Sequence, residues 1–130
     1  DIIAAAAQDA LVRVGDISFD RRARRFVAQI SRFRWEQAGE EGPFERIRAA
    51  ISFESVLAAK TRNVRQEAPD ALAALLSLTF APDDEPPGGE VRLVLAGGGE
   101  ISLMVECLDA LLLDLGPVWN TPRRPDHEKA

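Results

Sequence analysis

From Val91 to Glu106 the chain alternates apolar and polar residues on either side of a triple glycine, Gly97-Gly98-Gly99, and then enters a Leu-rich run that stops at Gly116-Pro117. A period of two marks a half-buried strand, and glycines accept the positive φ a tight reversal needs, so this stretch predicts a β-hairpin. Val91, Leu93 and Leu95 form one apolar face, opposed by Ile101, Leu103 and Val105 on the return strand. Beyond it, Leu108, Leu111, Leu112 and Leu115 fall at i, i+3, i+4 and i+7, which predicts a C-terminal amphipathic helix packed on the sheet. Gly116 suits the left-handed residue past a helix end, and Pro117 prevents continuation.

The rest of the chain reads mostly as strands. Ala-rich Ile2 to Gln8 predicts a short N-terminal helix, too short to stand without docking. Leu11 to Phe19 reads as a strand with a glycine irregularity at Gly15. Asp20 to Arg24 is its turn, and Phe26, Ala28 and Ile30 alternate along the returning strand. Phe33 and Trp35 then occupy the opposite parity, which requires either a bulge near Ser31 or a sheet buried on both faces. After a loop from Gln37 to Pro43, Ile47, Ala49, Ile51 and Phe53 alternate as another strand, and Val56 to Thr61 continues the sheet after a bend. Leu75 to Phe80 alternates as a strand, with a helical turn expected before it. Ala81 to Gly89 is an acidic, Pro- and Gly-rich loop. The polar segment from Thr121 reads as a flexible tail, leaving residues 1–120 as a single domain.

The 130 residues suffice for one core, burying roughly two thirds of the surface the unfolded chain exposes. A net charge of -5 argues against a general nucleic-acid binder. No run approaches the roughly twenty apolar residues of a membrane-spanning helix. Cys107 is the single cysteine, so no internal disulfide or cysteine-based zinc cluster can form, and a reducing, cytoplasmic compartment is expected. The sequence starts at Asp1 rather than Met, so an upstream segment is expected.

Residues that carry chemistry are few. His127 lies in the polar tail with little to hold it as a catalytic base or ligand. Cys107, flanked by Glu106 and Asp109, reads as a small junction residue rather than an activated nucleophile. The triple glycine lacks the Gly-Lys-Ser/Thr ending of a phosphate loop, and Asp83, Asp84 and Glu85 lack a calcium-loop spacing. No catalytic residue, metal or cofactor is therefore assigned. The one dense basic cluster is Arg21, Arg22, Arg24 and Arg25 at the first hairpin tip, where guanidinium forks can hold phosphate or carboxylate. Asp16, Asp20 and Glu36 are available to neutralise it, and Arg46 and Arg48 would extend it if their strand lies alongside. Leu113, on the face of the expected helix away from its Leu stripe, joins Val118 and Trp119 as a candidate patch for self-association into a homodimer.

The segments Gln8 to Asp16, Arg24 to Phe26, Arg32 to Glu36, Leu95 to Ile101, Val105 to Leu108 and Asp114 to Pro117 resemble a family of small bacterial proteins catalogued as domain of unknown function 2948. The resemblance implies an additional short strand before Asp1 and assigns no reaction, so no functional residue is carried over. By analogy of element order, the expected fold is α+β and pleckstrin-homology-like, a bent antiparallel sheet or partial barrel closed by its C-terminal helix. In that architecture the first hairpin loop often binds anionic headgroups or phosphopeptides, the place Arg21 to Arg25 would occupy. The functional reading is a non-enzymatic binding or protein-interaction module with an unknown protein partner. The alternatives are anion binding through the Arg cluster, or a small enzyme using Arg and carboxylates.

Overall fold

The computed structural model describes residues 2–37 and 44–121. A short helix, α1 (Ile2–Ala6), precedes eight strands: β1 (Leu11–Asp20), β2 (Arg25–Phe33), β3 (Glu45–Phe53), β4 (Val56–Arg62), β5 (Leu72–Pro82), β6 (Gly89–Leu95), β7 (Glu100–Val105) and β8 (Ala110–Asn120). All pair antiparallel in one sheet of order β4-β7-β6-β5-β1-β2-β3-β8.

This sheet cannot lie flat. β3 and β4 stand six strand spacings apart in that order, about 29 Å in a flat sheet, yet only Glu54 and Ser55 join them. Phe53 to Val56 can reach about 11 Å, so the sheet must curl until its two ends meet. Glu106 to Asp109 makes a second crossing, from β7 to β8. Backbone bonds fasten the meeting point: Val56 N–H donates to Arg24 O at 2.8 Å, Glu106 N–H to Ser55 O at 2.9 Å and Glu54 N–H to Asp109 O at 2.9 Å.

Curling places the apolar parity of β2, β3, β6 and β7 inside. Phe26, Ala28 and Ile30 from β2, Ala49, Ile51 and Phe53 from β3, and the predicted hairpin faces of β6 and β7 form one buried cluster. α1 docks against it through Ile3, and Ala7 just beyond is fully buried. The expected irregularity in β1 is present, since the β1–β2 register shifts between Val12 and Ile17. Gly15 permits it: a Cβ there would sit 2.9 Å from Pro69 O, to which the Gly15 N–H donates at 2.8 Å.

Three expectations are corrected. Residues Leu108–Leu115 are not a helix; Ala110–Asn120 is an edge strand paired with β3 from Phe53↔Ala110 to Glu45↔Asn120. Leu108, Leu111, Leu112 and Leu115 fit the 3.6 period, but Leu111, Leu113 and Leu115 fit the 2.0 period, and the open hydrogen-bonding edge of β3 decides between them, because a helix there would leave that edge unpaired. Gly116 keeps its left-handed φ of 70°, but inside the β8 irregularity rather than at a helix end. The α+β, pleckstrin-homology-like architecture falls with that helix, and the described residues form an eight-stranded, nearly all-β open sheet. The helical turn before Leu75 is also absent: β5 begins at Leu72 and pairs with Leu11–Arg13 of β1.

The β2–β3 register runs without a shift from Phe26↔Phe53 to Phe33↔Arg46, so there is no bulge at Ser31 and the sheet is buried on both faces there. Phe33 is covered on the outer side by Trp35, edge-on at 4.6 Å between centroids, and by Phe44 at 6.2 Å. The Ala81–Gly89 loop is shorter than expected, because β5 extends through Pro82 and β6 starts at Gly89.

Candidate functional site: a cleft beside a ligated corner

The Arg cluster sits at the corner where the two ends of the sheet meet, and the fold uses half of it. The Asp20 carboxylate closes the turn by accepting from the N–H groups of Arg22 and Ala23, both at 3.1 Å. Arg24, at φ 53°, pairs with Glu106, and Arg25 Nε donates to Glu54 Oε1 at 2.6 Å. These pairs link the β1–β2 turn to both crossing segments. Their partners differ from those expected: Asp16 pairs with Arg13, and Glu36 with Arg32. Arg21 and Arg22 stay exposed, with no ion pair among the described residues. Arg46 and Arg48 do lie on the neighbouring strand, but opposite Phe33 and Ser31, about 20 Å along β2 from the turn, so they do not extend the cluster. Arg46 is half-buried, donates to Ser31 O at 2.9 Å and lies over the Phe33 ring; burial holds its pKa below the usual guanidinium value.

The candidate interface residues all fall on β8, on two different faces. Leu113 lies opposite Ala50 and Trp119 opposite Arg46, on the outer face, whereas Val118 lies opposite buried Ile47 on the inner one. Leu111 and Leu115 join Leu113 on the outer face, and the three are 59%, 49% and 54% exposed respectively.

Sequence reasoning missed a buried ion cluster. Arg32 occupies the inner-face parity of Phe26, Ala28 and Ile30, and is 5% exposed. It holds Asp114 of β8 bidentately, Nε to Oδ1 and Nη2 to Oδ2 both at 2.7 Å, and its Nη1 reaches Glu36 at 3.0 and 3.1 Å. The Asp114 carboxyl is pulled below its ordinary pKa, first by the hydrogen bonds from Arg32, against a partial burial penalty. The signal was parity: Arg32 and Asp114 both stand where their strands otherwise place apolar residues.

The second feature sequence reasoning missed is a cleft. Past Gly15, β1 leaves β5, so Ile17 to Asp20 keep β2 as partner on one side only. Across from that free side stand Ala59 and Thr61 of β4, the strand at the end of the sheet. Between the two unpaired edges lies a cleft of about 390 Å³, lined by Val14, Ile17 and Phe19 of β1, Phe26 of β2, and Ala59 and Thr61 of β4. Val64 and Gln66 of the β4–β5 loop complete the lining. Gln66 Nε2 donates to Thr61 Oγ1 at 3.0 Å, the one side-chain polar pair in the lining. Ala59 and Thr61 face inward opposite buried Leu103 and Ile101, while Lys60 and Arg62 point to the outer face. No charged side chain lines the cleft.

Among the described residues no three His, Cys, Asp or Glu side chains converge as metal ligands, and no helix is long and apolar enough to cross a membrane. Asp83, Asp84 and Glu85 are exposed at the β5–β6 reversal. Cys107 is half-buried between β7 and β8. His127, the tail from residue 122 and most of the Gln37–Pro43 loop lie outside the described residues. A family model described as Protein of unknown function (DUF2948) matches residues 1–127. No curated protein and no solved structure matches the chain.

Proposed function

We infer that this chain, which belongs to the DUF2948 family and takes no reaction from it, is a non-enzymatic binding module whose ligand site is the β1–β4 cleft. One observation carries the reading: a concave space of about 390 Å³, within the range of small-molecule sites, walled by apolar side chains with a single Thr61–Gln66 polar pair. A charged ligand would lose hydration there without a charged partner, so the site favours a neutral, largely apolar molecule carrying one hydroxyl or amide. The enzyme alternative needs a carboxylate of raised pKa in a pocket; none lines this cleft, and the Asp114 carboxyl moves the other way. A cytoplasmic setting is consistent with the lone thiol of Cys107.

The test is titration with the neutral fluorophore N-phenyl-1-naphthylamine. Saturable enhancement is expected in the wild type and is lost in Ala59→Phe, which fills the cleft, with circular dichroism unchanged. Equal binding by a folded Ala59→Phe protein would move the site elsewhere.

A second reading, anion recognition, narrows to Arg21 and Arg22, because Arg24 and Arg25 are engaged by Glu106 and Glu54. Calorimetric titration with pyrophosphate should then show an affinity that falls with salt and disappears in Arg21→Ser/Arg22→Ser. Affinity unaffected by that double substitution removes the turn from consideration.

A further inference from the structure

We propose that β8 pairs edge to edge with β8 of a second copy, forming a two-fold symmetric dimer with a continuous sheet across the interface. The two ends of this sheet are treated differently by the sequence. β4 carries Lys60 and Arg62, charges of the kind that keep an edge from pairing. β8 runs Ala110 to Leu115 with one charged residue, Asp114, and that carboxylate is already held bidentately by Arg32. It has neither a free charge nor a proline before Pro117. Its outer side also presents Leu111, Leu113 and Leu115, each about half exposed, in an alternating row.

The occupant that fits this edge is another β8. An antiparallel pair related by a two-fold axis at Leu113 sets Leu113 against its symmetry mate and Leu111 against Leu115 of the other copy. Every exposed leucine of the row then meets a leucine, and the main-chain groups β3 leaves unused are satisfied. Asp114 faces Leu112 of the other copy on the inner side while keeping its own Arg32. Irregularity at Gly116 ends regular pairing, so the contact spans one short strand and buries less than a standard interface of roughly 1,600 Å². The dimer is therefore reversible and concentration-dependent. The surface is separate from the β1–β4 cleft, and Ala59→Phe leaves it unchanged.

Light scattering coupled to size exclusion, run over a concentration series, tests the pairing. The wild-type mass should rise from monomer toward dimer, and Leu113→Lys, which sets like charges opposite each other, should stay monomeric with an unchanged circular dichroism spectrum. In a Cys107→Ala background, Leu113→Cys should form an intermolecular disulfide on oxidation, a readout specific to this register. A wild-type protein monomeric throughout the series overturns the dimer, as does a folded Leu113→Lys protein that still dimerises. A dimeric Cys variant that fails to cross-link overturns the axis at Leu113.

Discussion

Removing Asp114 should cost more stability than removing the arginine it binds. Asp114→Ala strips the two 2.7 Å bonds from Nε and Nη2 of a guanidinium whose side chain is 6% exposed, so water cannot replace them. Breaking a buried pair from one side costs about 3–5 kcal/mol. Glu36 remains on Nη1, and Asp114 is itself 41% exposed, so screening lowers the expected loss to about 2–3 kcal/mol. Arg32→Met leaves the two carboxylates, 41% and 47% exposed, free to rehydrate, and the methionine fills the stem's volume; its expected cost is about 1 kcal/mol. Arg32→Met added to Asp114→Ala removes the orphaned charge, so the double variant should be more stable than Asp114→Ala alone. Urea unfolding with a slope near 1–3 kcal/mol/M would place the Asp114→Ala midpoint about 0.7–3 M below wild type. If Arg32→Met proves the costlier single change, or the two losses simply add, the buried-guanidinium reasoning is wrong.

The same pair sets a pH dependence. The Asp114 carboxyl is held below its ordinary value of 3.8, so its contribution is fully present above that pH and is lost as pH falls toward the lower folded-state value. The stability gap between wild type and Asp114→Asn should therefore hold at neutral pH and close below pH 3.8, as followed by urea midpoints. Gly89→Ala should destabilise by about 1–3 kcal/mol, read in a thermal melt, because the new Cβ would lie 2.5 Å from Ala81 O and 2.7 Å from the Phe80 ring. By contrast, Arg24→Ala or Glu106→Gln should shift stability by less than about 1 kcal/mol, since the two side chains are 55% and 49% exposed; a larger loss in urea unfolding would give that corner pair more weight than a solvated contact merits.

Where the sequence repeats with period two between clear turn residues, as in the hairpins around Gly97–Gly99 and Asp20–Arg24, the strands and their buried faces could be read in advance. The Leu-rich segment could not, because Leu111 and Leu115 belong both to a helical stripe with Leu108 and Leu112 and to an alternating row with Leu113, and the deciding fact is the vacant edge of β3, some sixty residues earlier. For the same reason the order of strands around the sheet was illegible: it follows from which edges meet, not from any one strand. The Arg turn was found as a cluster, but its division into two engaged and two free residues depends on Glu54 and Glu106 arriving across the corner. Arg32 and Asp114 left a trace as charges at apolar parity. The cleft left none, since it exists only where β1 departs from β5.

The pairing of β3 with β8 sets the order in which the molecule can be completed. During synthesis β3 emerges long before its outer neighbour, and the chain must build β4 to β7 at the far end of the sheet while that edge, with Ile51 and Phe53 beside it, waits uncovered. Completion rests with Ala110–Asn120. A molecule stopped or clipped ahead of that segment would keep most of its core and yet expose a long, apolar strand edge, the feature that seeds association between chains.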